Sequence, residues 1–323
     1  MRALVTGSGG FAGSHLVDFL LSRTDVEVYG TLYYGIDPVE SQTDRVKFLE
    51  ADLLEPEHAR RVIAASKPDL LFHLAGHAGV GDSWSKPWST FESNVKMTLN
   101  LFLAIKEAGL KTRVLVVGSN EEYGLVRPED LPQSEETPFR PLNPYGVSKV
   151  AQDMLALQFF QSEKMDVVRV RPFNHIGPRQ RPGFVVSAFA YQIARIEAGL
   201  QPPEISVGNL TTRRDFTDVR DMVRGYWLAI TEGASGDVYN IGSGESHPIR
   251  EVLDVLTAAC KVDVKVVTDP DRFRPAEVPE TLCDASKFRN LTGWKPEIPF
   301  RQSVLDTLEY WREKIQSSRR ENG

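Results

Sequence analysis

Tyr145 and Lys149 stand four residues apart in Asn143-Pro144-Tyr145-Gly146-Val147-Ser148-Lys149. On a helix, positions i and i+4 share a face, which lays an ammonium beside a phenol. A free tyrosine gives up its proton near pH ~10, too high for exchange at neutrality. A cation ~4 Å away contributes ~4 kcal/mol at an effective dielectric of ~20, enough to lower that value by ~3 units. The pair is a candidate general acid–base. Ser119, in Val117-Gly118-Ser119-Asn120-Glu121-Glu122-Tyr123-Gly124, follows a short apolar run. Its hydroxyl can donate to a carbonyl oxygen while Tyr145 protonates it. Taken singly, Ser119 is also an ordinary turn residue and Tyr145/Lys149 an ordinary surface pair.

A glycine-rich turn removes most of that ambiguity. Gly7-Ser8-Gly9-Gly10-Phe11-Ala12-Gly13 sets glycines at 7, 10 and 13, after the first strand-like run and at the start of a helical pattern. Small residues there let the backbone approach a pyrophosphate, which the helix N-terminus attracts. Asp52 after the third apolar run supports a dinucleotide site. An acid at the end of the second strand selects NAD(H) and an Arg selects NADP(H). Leu32 stands in that place, which favours NADP(H) and leaves NAD(H) open.

These groups must be carried by the elements between them. Apolar runs at Ala3–Val5, Val26–Tyr29, Val46–Leu49, Leu70–Leu74, Val114–Val117 and Val167–Val170 do not alternate with polar residues. Such runs indicate strands buried on both faces. With helical patterns between them, beginning with one over about 10–21, they predict an α/β fold. It is a doubly wound parallel sheet of Rossmann type with a smaller, mostly helical substrate lobe. After Pro172 prolines interrupt the chain, a helix is expected over Val185–Ala198, and Val238–Ile241 reads as a further strand. An amphipathic helix is expected near Leu305–Lys314. The expected division is 1–173 plus about 214–242 for the dinucleotide-binding domain, and 174–213 plus about 243–323 for the second lobe.

Composition closes off other classes. The net charge of −6 over 323 residues argues against nucleic acid or an anionic membrane as partner. Cys260 and Cys283 lack the spacing of a disulfide framework or a zinc site, so no metal is expected. The chain starts directly on a strand-like run, and no stretch is long and apolar enough to span a bilayer. A cytoplasmic protein is the expectation.

Together these motifs resemble the extended short-chain dehydrogenase/reductase family, over nearly the whole chain. Its strand-end motif is similar to His73-Leu74-Ala75-Gly76, with Gly76 replacing the common Ala. Two further motifs look like Arg171-Pro172-Phe173-Asn174-His175-Ile176-Gly177-Pro178 and Arg214-Asp215-Phe216-Thr217-Asp218-Val219-Arg220-Asp221. The resemblance implies cofactor contacts at Gly7, Gly10, Phe11, Gly13, Asp52, Leu53, Leu74, Ala75, Tyr145, Lys149, Pro172 and His175. Within the family the GDP-mannose branch is most similar, through Gly183-Phe184-Val185, Val207-Gly208-Asn209-Leu210 and Arg274-Pro275-Ala276-Glu277-Val278. That likeness implies substrate contacts at Ser83, Glu121, Asn174, Val185, Asn209, Arg214, Arg274 and Glu277. Guanidinium forks suit a diphosphate; a pair with Asp215 or Asp218 is the bland alternative for Arg214.

The implied activity is reduction of a 4-keto GDP-sugar with NAD(P)H, Ser119, Tyr145 and Lys149 acting together. Glu121 stands where the branch's dehydratases carry a base, so dehydration stays open, as does epimerisation. The Glu121-Glu122-Tyr123 run, the Val80–Trp84 segment and His175-Ile176-Gly177-Pro178 look more like the reductases. A dinucleotide-binding sensor would not need the full triad. A homodimer is expected if Leu101, Ile105, Leu155 and Phe159, on helical patterns over 91–108 and 145–162, meet a twin in a four-helix bundle rather than facing the sheet.

Overall fold

The computed structural model describes residues 1–23, 25–39, 44–273 and 276–321. In chain order the strands are β1 (Arg2–Thr6), β2 (Glu27–Leu32), β3 (Lys47–Glu50), β4 (Leu70–His73), β5 (Arg113–Val117) and β6 (Val167–Pro172). There follow β7 (Asn174–Ile176), β8 (Glu204–Val207), β9 (Arg213–Asp218), β10 (Val238–Ile241), β11 (Ser246–Pro248) and β12 (Lys265–Thr268). The helices are α1 (Phe11–Leu21), α2 (Pro56–Ser66), α3 (Val80–Ser85), α4 (Pro87–Glu107) and α5 (Pro144–Glu163). After them come α6 (Val185–Glu197), α7 (Val219–Glu232), α8 (Ile249–Ala258), α9 (Ser286–Thr292) and α10 (Phe300–Glu321).

Seven strands form a parallel sheet in the order β10-β6-β5-β4-β1-β2-β3. Successive side chains of a strand point to opposite faces, and here both faces are covered. Ala3 and Val5 of β1, Phe72 of β4 and Leu115 of β5 share one core with Leu16 and Leu20 of α1 and Met222 and Tyr226 of α7. Leu4, Leu71 and Val114 enter the opposite core, with Ile63 of α2, Phe102 of α4 and Ala156 of α5. This is why the runs read as continuously apolar. The doubly wound sheet expected from the sequence is present.

Leu101, Ile105 and Phe159 are buried in that second core and Leu155 packs against it. The four side chains singled out for meeting a twin therefore face inward, held by the same apolar burial that seats α4 and α5 on the sheet. The outer faces of the two helices carry other residues: Trp88 (72 % exposed), Leu103, Val147 and Met154.

The smaller lobe gathers α6, α8 and α10 around Ile193, Phe216, Leu253 and Leu308. A three-stranded sheet β11-β9-β7 and a two-stranded sheet β12-β8 edge it. Two expected boundaries move. Residues 214–218 lie in β9, with Phe216 in the small lobe's core, so the chain returns to the large lobe near Val219 instead. It returns again further on, because Phe288 and Trp294 need a deep apolar seat and find it against the large lobe's core. The Trp294 indole N–H donates to the carbonyl of Asp221 there at 3.0 Å.

Candidate active site

Ser119 leaves the carboxyl end of β5 and caps a short 3₁₀ turn, Asn120–Glu122. Its hydroxyl accepts from the Glu121 N–H at 3.2 Å, while its own N–H donates to Glu122 Oε1 at 2.8 Å. It is thus both the turn residue and the candidate catalytic hydroxyl. Glu122 is fully buried and faces the Arg171 guanidinium at 3.1 Å. Asp153 of α5 takes the other side of Arg171 at 2.6 Å and Arg169 at 2.9 Å. Arg171 therefore serves as a rivet between the serine turn, β6 and α5, with burial pushing the Glu122 carboxyl up.

Asn143 begins α5, its Oδ1 accepting from the Gly146 N–H at 2.8 Å ahead of Pro144 in the first turn. Its Nδ2 donates to Glu121 Oε2 at 2.8 Å, which ties the possible base to the helix carrying the tyrosine. The Ser119 side chain is close enough to the Tyr145 phenol to favour its ionised form. The expected effect of Lys149 on the phenol is not what the structure holds. The ammonium lies 5.9 Å from the tyrosine ring centroid and donates instead to Val117 O at 2.9 Å and Gln152 Oε1 at 2.8 Å. Burial pushes the Tyr145 phenol up and lowers the Lys149 ammonium to about 8. Desolvation disfavours each charged form and is the largest influence on both. For a proton donor that state is serviceable: the phenol is charged with its proton at neutral pH.

The glycine turn has the form a pyrophosphate requires. Gly7 adopts φ +69°, and a Cβ there would lie 3.0 Å from the Ala75 backbone; one on Gly13 would run into Gly7 O. Gly10 caps α1 without any side-chain bond, and the first turn of α1 carries no acidic residue. The helix N-terminus is thus left to receive negative charge, so the residues fit a dinucleotide. Leu74 and Ala75 lie beside the turn, both N–H groups donating to Thr6 Oγ1 at 3.1 Å. Asp52 accepts from the Leu54 N–H at 3.0 Å, and Leu53 is a core side chain. Pro172 ends β6. The Phe11 ring lies parallel to that of His175, centroids 5.7 Å apart, joining the opening of α1 to β7. Two further ties run alongside, His15 Nε2 to Pro178 O at 2.9 Å and Asp18 to Arg179 at 2.7 Å.

A cleft of about 710 Å³ separates the lobes. Glu121 lines it from the large-lobe side, and Asn174, His175, Val185 and Arg214 from the smaller lobe. Asn209 and Glu277 line it as well, Asn209 Nδ2 donating to Glu277 Oε2 at 2.6 Å. Asn174 Oδ1 is buried there with no partner among the described residues, an acceptor awaiting a donor. Arg214 donates to the carbonyl of Arg213 at 2.7 Å. Asp215 accepts from Ser243, Gly244 and Cys283, and Asp218 pairs with Arg220 at 2.8 Å. Ser83 does not join the cleft: it is fully buried, its hydroxyl donating to Val80 O at 2.7 Å. Its neighbours Asp82 and Trp84 line the cleft instead, Asp82 meeting Arg181 across it at 3.1 Å. Arg274 lies outside the described residues. Sequence reading missed Asn143, Gln152 and Arg181. Only Asn143 left a signal, the Asn-Pro start of a helix.

A buried Tyr145/Lys149 pair near Ser119 and a glycine turn opening α1, on a seven-stranded parallel sheet, form the arrangement of the short-chain dehydrogenase/reductases, and the chain falls in that class. The comparisons narrow it. The GDP-mannose 4,6 dehydratase family pattern matches residues 4–307, and the chain belongs to that family. It is 36% identical to the GDP-6-deoxy-D-mannose reductase of Pseudomonas aeruginosa, covering 97% of this chain and 98% of that one. Identity to GDP-mannose 4,6 dehydratase 2 of Arabidopsis thaliana is 32%, covering 94% and 84%. The solved structure of RMD from Pseudomonas aeruginosa complexed with NADPH superposes with a TM-score of 0.85, at 36% identity over 97% of this chain and 99% of that chain.

Proposed function

We propose that the protein reduces the C4 keto group of a GDP-4-dehydro-6-deoxyhexose with NAD(P)H, giving GDP-D-rhamnose or a related GDP-6-deoxyhexose. The observation that carries this reading is the placing of Ser119 beside the buried Tyr145 phenol, on a turn whose Glu121 opens onto the cleft. Full-length similarity to a GDP-6-deoxy-D-mannose reductase supports it.

The glycine turn, Leu74, Ala75, Lys149 and His175 would hold the dinucleotide, whose reduced nicotinamide supplies the hydride. Arg214 would meet the diphosphate as a bidentate donor, and Asn174 Oδ1 would accept from a substrate N–H or O–H. Ser119 donates to the C4 oxygen and so fixes the carbonyl's direction. Tyr145 gives that oxygen its proton as negative charge develops on it. Lys149 then stabilises the phenolate that remains, until water restores the proton. The same reading takes the enzyme to be cytoplasmic and a homodimer formed through the outer faces of α4 and α5.

The test is incubation with GDP-mannose, with and without a separate dehydratase, following product identity and NAD(P)H consumption. Reduced cofactor should be consumed only when the dehydratase is present. A second reading, GDP-mannose 4,6-dehydration, is favoured by one observation: the Glu121 carboxylate lines the cleft and is held by Asn143. In that case GDP-mannose alone is converted without net use of NAD(P)H, and Glu121→Gln stops it. An epimerase likewise leaves NAD(P)H unspent.

A further inference from the structure

Behind Lys149 runs a buried chain of polar side chains that the proposed reaction does not itself require. Gln152, Thr98 and Thr6 are fully buried and His73 nearly so. Gln152 Nε2 donates to Thr98 Oγ1 at 2.8 Å, and the Thr98 hydroxyl donates to the carbonyl of Asn94 at 2.8 Å. A threonine has one proton to give. With it committed, His73 Nε2, 2.9 Å from Thr98 Oγ1, must carry a hydrogen and donate. His73 Nδ1 is then the acceptor for the Thr6 hydroxyl at 2.8 Å. Thr6 Oγ1 in turn accepts the N–H groups of Leu74 and Ala75. Every donor direction is thereby settled, from two backbone N–H groups beside the glycine turn to the catalytic lysine.

The settled directions fix the Gln152 amide as well. Reversed, its NH₂ would face the ammonium, donor against donor, and its oxygen would face a hydroxyl whose proton is already placed. We propose that Gln152 is a positioning residue for Lys149, its amide oxygen locked by Thr98 and His73 so that the ammonium stays at the site of proton transfer. The claim rests on the reading of Tyr145 as proton donor only for its purpose; the anchor itself is independent of substrate. Two of the three ammonium N–H groups are spent on Val117 O and Gln152 Oε1. One is left to face Tyr145 and the cofactor. The ionisable groups acting on Lys149 are Glu122 from the serine turn and His73 from β4. Tyr145 shares its helix, and Asp153, Arg169 and Arg171 pair with one another behind Glu122.

Two substitutions of nearly equal shape separate anchoring from mere packing. Gln152→Met removes the oxygen acceptor, and Gln152→Glu replaces it with a charged one. The measurement is the titration of the Lys149 ε-carbon by NMR in cofactor-free protein made with ¹³C-lysine, the signal identified by its loss in Lys149→Arg. Removing a charge-assisted hydrogen bond should lower the titration midpoint by about one pH unit, and a carboxylate should raise it by a similar amount. Circular dichroism confirms that each variant is folded; if Gln152→Met does not fold, the upward shift in Gln152→Glu decides. Identical midpoints in the wild type and the folded variants would overturn the proposal. Shifted midpoints in a protein that turns over no 4-keto sugar nucleotide would uphold the anchor and sink the proposed reaction instead.

Discussion

Burial governs the proton chemistry of Tyr145 more than the neighbouring ammonium does, and this bears on what the residue can do. A phenol held protonated is ready to give a proton to a nascent alkoxide but is a poor base until Lys149 and the cofactor are both in place. Tyr145→Phe should lower kcat for 4-keto sugar reduction by about 10²–10⁴-fold. Binding of NADPH, measured by fluorescence quenching, should stay within a few-fold of the wild type. A variant of near-normal turnover would remove Tyr145 from the reaction. Ser119, Tyr145 and Lys149 were legible in the sequence because their spacing relates to elements with simple geometry: a strand end and one helical turn. Gln152 was not. Its function depends on which side of α5 faces α4, and that follows from packing rather than from any local pattern. The inward turn of Ser83 was not legible for the same reason, since motif likeness does not say which way a short helix turns its serine.

The elements are held by a few buried polar junctions whose removal is expected to be severe. Asp153 pairs with two buried guanidinium groups at once, Arg171 also facing Glu122. Asp153→Ala would leave both buried without it and should destabilise the fold by about 3–5 kcal/mol, read as a lowered urea midpoint. His73 gives a pH signature. Burial lowers its imidazole from 6.5 to about 3, so the native state holds it neutral while the unfolded chain takes up a proton below 6.5. The stability tied to the neutral ring is intact above 6.5 and is lost progressively as pH falls toward 3. His73→Gln cannot bind that proton, so its melting temperature should decline less steeply than the wild type's between pH 6.5 and 4.5. Parallel decline in both would show that the ring does not carry the effect. The seven strands of the large sheet were readable from their apolar runs, because a sheet covered on both faces buries most of their side chains. Arg169 and Arg171 are buried charged exceptions, held by buried carboxylates. The shift of β9 to the small lobe was not: a strand's sheet is decided by partners far along the chain.

At the scale of the molecule, the two lobes are interlaced rather than strung in sequence. Trp294 and Phe288 return to the large lobe after the chain has already built most of the small one, which no periodicity announces. Assembly is the open quantity at this scale. Leu103 and Met154 are exposed on neighbouring helices that pack side by side. Joint substitution of Leu103→Lys and Met154→Lys should convert a dimer into a monomer in light scattering, with the melting temperature little changed. A wild type that already scatters as a monomer would refute the proposed homodimer. The parallel rings of Phe11 and His175 have a consequence of another kind. One belongs to the helix that opens at the glycine turn and the other to the wall of the cleft, so in the proposed reaction the dinucleotide and the sugar nucleotide would meet through this one contact. Linkage then demands symmetry: by whatever factor dinucleotide sharpens the grip on sugar nucleotide, sugar nucleotide must sharpen the grip on dinucleotide, and loosening that contact should weaken both alike.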